Sequence, residues 1–255
     1  MSVVVTVLVA TLLVGVGFGV ERLLARRIGH DFEDAAAALL TGWAVLVVVG
    51  VVCAVVRLPL WLPTLAVGLS GLAGYAAARR AAAGGLGRLA LAWLLLAPLL
   101  AIAAAVPALM HDEFPAQLPS IRWLVETDRF PSMARPNLET SKPEYPPAFS
   151  LVAYAAARFG GLDVAYPGKL FTVLLAGAFG LAVGRLLTER VGWLAAIATG
   201  VALATLLNPF FDPRIALTAY YDTPTGLVLA LCVVACWRAA GAPFGPWHVH
   251  AAASW

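Results

Sequence analysis

Apolar positions gather into long runs at 2–20, 35–56, 58–78, 89–109, 164–187, 191–207 and 215–237. A hydrocarbon core of about 30 Å needs about 20 apolar helical residues, so the pattern predicts an all-α, polytopic transmembrane helical bundle of about seven spans. Polar punctuation sets the direction of each span. Arg22, Arg26 and Arg27 fall in the first loop and Arg79, Arg80 and Arg88 in the third, whereas the second holds only Arg57. Arginine-rich loops stay in the cytoplasm, which predicts an outside N-terminus and an outside loop starting at His111.

That loop, 111–146, packs ten of the chain's 31 acidic and basic residues into 36 positions, so it is expected to face water. Its opening third has two faces, with Leu118, Ile121, Leu124 and Val125 on one and Gln117, Arg122 and Glu126 on the other. Pro119 suits a first helical turn, and such a helix lies in the membrane interface. Next comes YPPAFSLVAYAAARFGG, in which about a dozen residues separate Pro147 from Arg158. They make about 18 Å of helix, too short to cross, and predict a second helix held at the outer leaflet. The run 164–187 then goes inward to Arg185 and Arg190, and 191–207 returns outward. NPFFDPRIALTAYYDTPTG therefore emerges on the same side as His111, Asp112 and Glu113. Were 147–158 a full span, these two acidic stations would face opposite compartments.

Composition narrows the class further. The 255 residues are 62% hydrophobic and 12% charged, with a mean hydropathy of +0.88, which excludes a soluble globular domain. The first run has no positive segment before it, exceeds a signal-peptide core and meets no small-residue cleavage site, so it is read as a retained span. A net charge of +3 spread along the chain argues for no nucleic-acid partner. Cys53, Cys232 and Cys236 lie in apolar runs, where a thiol acts as a small hydrophobe. Glycines at 15, 17 and 19, and at 68, 71 and 74, are read as close-packing positions between helices, and GGLG at 84–87 as a cytoplasmic turn. HDFED at 30–34 is a solvated interface segment, and His248 and His250 belong to a frayed tail. Tryptophans 61, 123, 193, 237 and 247 fall near expected interfaces.

Two features carry candidate chemistry. Asp112 and Glu113 would be a plain polar cap on a span, were they not followed by an amphipathic helix and then by Arg129, Arg135, Lys142 and Tyr145. Together these supply a base and phosphate-binding cations on one face. Asp222, beside Tyr221 at the start of the last apolar run, is the second feature, because an ionisable residue at such depth is a functional candidate by default. Asp212, between Phe211 and Pro213, reads as loop surface.

The pattern HDEFPAQLPSIRWLVETDRFP…KPEYPPAFSL, followed by AYYD two helices later, resembles the GT-C class of membrane glycosyltransferases, over about residues 89–238. These enzymes take a sugar from a polyprenyl-phosphate carrier and transfer it outside the cytoplasmic membrane. The resemblance puts Asp112 at the first acidic position, as base or acceptor-orienting group, with Glu113 as its partner and Asp222 as the second acidic station. Lys142 falls where the family often places a cation near the donor phosphate, and His111 stands where an aromatic is common. Arg129, Arg135, Tyr145, Tyr221 and His111 complete the substrate-binding set. A divalent metal, Mg or Mn, held by Asp112 and Asp222 is the one cofactor implied.

The chain accordingly divides into an N-terminal three-span segment (1–88), a GT-C-like catalytic membrane module (89–238) with its extracytoplasmic loop at 111–146, and a C-terminal tail (239–255). Three spans precede the family's usual first helix, and family members are usually much longer, so the chain is expected to be the N-terminal catalytic half. The implied partners are a polyprenyl-phosphate-linked sugar donor, an envelope glycan, lipid or protein acceptor, and membrane lipid, at the cytoplasmic membrane. A transporter or channel subunit with Asp222 on its pathway, and a non-catalytic membrane scaffold, are the alternatives.

Overall fold

The structure, a computed structural model, describes residues 1–28, 35–106, 117–130, 148–161, 163–187, 192–207 and 222–240. Among them every regular element is an α-helix: α1 (Ser2–Ile28), α2 (Ala35–Val55), α3 (Trp61–Leu95), α4 (Ala97–Ala105), α5 (Gln117–Thr127), α6 (Ala148–Gly160), α7 (Pro167–Leu187), α8 (Trp193–Leu207) and α9 (Asp222–Ala240). Among the described residues four segments are long and apolar enough to cross a membrane: Ser2–Leu24, Ala35–Val55, Trp61–Ala78 and Pro167–Leu187. A fifth is added if the bent pair Gly84–Leu95 and Ala97–Ala105 is one broken span. Ala148–Gly160, Trp193–Leu203 and Pro224–Val234 are shorter apolar helices. This is the chain of a helical membrane protein. Val48, Leu69, Leu72, Leu94 and Val233 turn outward on its surface, where lipid rather than water suits them.

α1, α2 and α3 pack as a tight three-helix unit, and the glycines explain how. A methyl group on Gly17 would overlap the backbone of Ala38, one on Gly42 that of Leu13, and one on Gly74 that of Gly15. With no hydrophobic force between helices inside lipid, such backbone approach and the dispersion contacts it permits are what hold spans together. The Tyr75 hydroxyl adds a hydrogen bond to the carbonyl of Thr11, 2.6 Å away.

GGLG at 84–87 is not a turn. α3 continues through it from Trp61 to Leu95. Each glycine costs a helix about 1 kcal/mol relative to alanine, which does not break a helix whose neighbouring turns stay hydrogen-bonded. The chain bends instead by 56° at Leu96, between α3 and α4. Pro98 is the cause: it has no N–H to give the carbonyl of Leu94, and its ring crowds that turn. The expected 89–109 span is thus two pieces. Arg79, Arg80 and Arg88 lie on a helix rather than in a loop.

α2 ends in a left-handed residue, Arg57 at φ 61°, with Leu58 N–H bonded to the carbonyl of Cys53 and Arg57 N–H to that of Ala54. This is the six-to-one and five-to-two pair of a Schellman cap. The cap reverses the chain into α3.

α7 is the central helix of the second half. Its Lys169 reaches the carbonyl of Val106, the Trp93 indole N–H donates to the carbonyl of Leu174 at 3.0 Å, and Leu96 packs over Gly177. At the far end Arg88 and Arg185 share the ring of Trp193. The stretch from Arg88 to Val106 therefore runs antiparallel to α7. α8 returns along α7 through close approaches of Gly200 to Gly180 and of Ala196 to Gly184, so its C-terminal end heads back toward Lys169.

Candidate functional site

Three described stretches that border polar segments of the sequence, at Val106, Ala148 and Leu207, lie toward the Lys169 end of α7. Val106 is held there by the Lys169 ammonium, and Asp112 follows it by six residues. Six residues reach at most about 20 Å. α6 begins at the same end. The Trp43 indole N–H donates to the carbonyl of Ala148 at 2.8 Å, Trp43 meets the Phe171 ring edge to face at 5.2 Å, and Phe149 lies 6.2 Å from that ring. Phe171 is two residues from Lys169, and Ala148 is six residues after Lys142. Finally, α8 covers about 22 Å against about 24 Å between Lys169 and Arg185 on α7, so Leu207 ends near the Lys169 level.

Lys169 is the residue sequence reasoning missed. Its side chain is fully buried, and its ammonium also lies 5.0 Å from the centre of the Tyr166 ring. A buried cation is costly unless held by acceptors. The Val106 carbonyl is one such acceptor, and an aromatic face supplies further negative potential. The sequence offered a signal, because Lys169 and Arg185 are both charged residues inside the apolar run 164–187. A lysine near a span end usually snorkels to water, so its position in the run does not mark it as buried.

The second polar cluster is built on Asp128, the residue that ends α5. Its φ of 54° is the left-handed conformation that terminates helices, and its N–H still bonds the carbonyl of Leu124 at 2.9 Å. Its carbonyl accepts from Leu60 N–H at 2.9 Å, tying α5 to the first turn of α3. Its carboxylate accepts from the Tyr154 hydroxyl at 2.5 Å and from Arg158 at 3.2 Å, both on α6. Burial, and then the hydrogen bond and charge of Asp128, push the Tyr154 hydroxyl well above the usual tyrosine range. Asp128 is a three-way clamp, with all three of its polar functions engaged.

The amphipathic helix forms as its pattern requires. In α5, Ile121 and Leu124 are buried, Leu118 and Val125 are half-buried, and Arg122 and Glu126 are exposed. The buried face packs on Ala153 and Ala157 of α6. α6 has 13 residues, in keeping with a helix too short to cross.

Of the expected site residues, Arg129 is exposed just beyond α5, with its N–H on the Thr127 hydroxyl at 3.3 Å. Asp222 is the first residue of α9, and its side chain lies outside the described residues. His111, Asp112, Glu113, Arg135, Lys142, Tyr145 and Tyr221 also lie outside them, as do HDFED, His248 and His250. Cys232 and Cys236 stack along one face of α9 with their sulfurs 3.9 Å apart. Trp61 and Trp237 are exposed, as an interfacial belt requires, whereas Trp193 is covered by two arginines. No protein-family model matches the chain, and neither a curated protein nor a solved structure is significantly similar to it.

Proposed function

We propose that the chain is a GT-C-like membrane glycosyltransferase, which moves a sugar from a polyprenyl-phosphate carrier to an acceptor hydroxyl outside the cytoplasmic membrane. What supports this reading is that Val106, Ala148 and the C-terminal end of α8, the described residues next in sequence to the stretches holding Asp112 and Glu113, Lys142 and Tyr145, and Tyr221, lie toward the Lys169 end of α7. Several apolar spans, with α5 and α6 at the outer leaflet, are the topology that goes with it.

In this reading Asp112 takes the proton from the acceptor hydroxyl, whose oxygen attacks the anomeric carbon. The carbon–oxygen bond to the lipid phosphate breaks, its electron pair leaves on the phosphate, and the sugar configuration inverts. Glu113 and Asp222 orient acceptor and donor. Lys142, Arg129 and Arg135 stabilise the charge growing on the phosphate, with Tyr145, Tyr221 and His111 lining the sugar. Mg or Mn on the oxygens of Asp112 and Asp222 belongs to the same proposal.

The test is transfer of labelled sugar from polyprenyl carriers in membranes expressing the full gene, with wild type and Asp112→Asn at equal levels. A loss of at least about 100-fold is expected for removal of a general base; unchanged transfer removes Asp112 from the chemistry. Restoration of chelator-treated membranes by Mg or Mn tests the metal.

A transporter or channel subunit is the second reading, favoured by two buried ionisable side chains, Glu21 in α1 and Lys169 in α7. It requires a solute or ion flux in proteoliposomes that Lys169→Met abolishes.

A further inference from the structure

The end of the molecule opposite Lys169 carries a feature that the transferase reading does not use. Trp193 opens α8, and two guanidinium groups stack on its ring. The Cζ atom of Arg88 lies 3.7 Å from the ring centre and that of Arg185 lies 4.5 Å from it. Each stacking is favourable by itself, but together they hold two cations against one ring, where like charges repel. Among the described residues neither arginine has an ion-pair partner, and Nη1 of Arg88 is buried with no hydrogen-bond acceptor. A buried guanidinium N–H without an acceptor is rare in a finished structure. The arrangement calls for an anion with several oxygens, able to take donors from both forks at once.

The surroundings say which anion. Leu187, two residues beyond Arg185, and Leu194, next to Trp193, are 67% and 77% exposed. They are apolar side chains at the ends of helices that pack against each other in the membrane bundle. A free phosphate would leave these leucines facing nothing that suits them, whereas a lipid supplies a phosphate and acyl chains together. Basic pockets between membrane helices on the cytoplasmic side are suited to anionic headgroups.

We propose that Arg88, Arg185 and Trp193 form a binding site for the phosphate of an anionic glycerophospholipid, with Leu187 and Leu194 against its acyl chains. The lipid phosphate bridges the two guanidinium groups and relieves their repulsion. It thereby fastens the α7–α8 corner to the Arg88 turn of α3. The site does not depend on the transferase reading, since it lies at the other end of α7.

The experiment is native mass spectrometry of the full chain in detergent, titrated separately with phosphatidylglycerol, phosphatidylcholine and inorganic phosphate. One phosphatidylglycerol is expected to stay on the wild type where phosphatidylcholine does not. Arg88→Gln with Arg185→Gln should weaken it about tenfold, the effect of losing charge-assisted hydrogen bonds. Arg122→Gln, which removes an exposed arginine on α5, should leave it unchanged. Arg88→Lys with Arg185→Lys keeps both charges without the forked donors and should fall between. If the glutamine pair loses helix content by circular dichroism, the lysine pair decides. Equal retention of phosphatidylglycerol by wild type and by the deciding variant overturns the site. Displacement of the lipid by an equal concentration of inorganic phosphate overturns the lipid assignment in favour of a free anion.

Discussion

Asp128 has the clearest structural role of any single residue. Tyr154 and Arg158, its partners, are 26 and 30 residues away along the chain, so nothing in VETDRFP marks it as a clamp. Asp128→Ala leaves the Tyr154 hydroxyl buried without an acceptor, at an expected cost of about 2 kcal/mol. Asp128→Asn should cost about half as much, because asparagine tolerates the left-handed backbone and still accepts a hydrogen bond. Little of either loss comes from Arg158, which is 44% exposed and screened by water. Equilibrium unfolding in mixed micelles measures both, and equal stability of wild type and Asp128→Ala would remove the clamp. Because the folded state holds the Tyr154 proton more tightly than the unfolded chain does, this contribution is complete below about pH 10 and falls as pH rises beyond it. Tyr154→Phe should flatten that alkaline slope between pH 9 and 11.

Helix ends and helix contacts show how far periodicity and residue type can be trusted. The two-faced pattern of residues 117–127 gave α5 with its buried and exposed sides correct, since an amphipathic stripe already encodes which way a helix faces. Glycine was ambiguous because it serves both turns and tight packing. At 15, 17, 71 and 74 it packs, as expected; at 84–87 it sits inside α3. The two environments predict opposite responses. Gly17→Ala drives a methyl into the backbone of Ala38 and should destabilise by about 1–3 kcal/mol or more. Gly84→Ala meets open space on a helix and should stabilise by about 0.5–1 kcal/mol. Thermal unfolding of both variants in one detergent decides, and destabilisation by Gly84→Ala would restore the turn.

Across the whole molecule, two ends are defined by contact rather than by hydropathy: Lys169 with Val106, and Trp193 with Arg88 and Arg185. The proposed sidedness of these ends can be measured. With Cys53, Cys232 and Cys236 replaced by alanine, single cysteines at Lys142→Cys and Asp212→Cys should react with a membrane-impermeant maleimide from one side of sealed vesicles. Arg190→Cys should react only from the other. Labelling of 142 and 190 from the same side contradicts the two-ended arrangement and, with it, the proposed outer site.

By itself the sequence determined that this chain is helical and built for lipid, where the main helices lie, and that 117–127 is amphipathic. Those properties are local: length, apolarity and 3.6-residue periodicity need no partner to be read. It also singled out Asp112, Glu113 and Asp222, residue types that are conspicuous where they stand. Only the tertiary structure decided that Pro98, rather than the glycines, bends the chain, that Asp128 clamps three helices, that Lys169 is buried, and that two arginines share Trp193. Each of these depends on groups tens of residues apart being brought within a few ångströms. Hydropathy and spacing along one strand of sequence do not contain that distance.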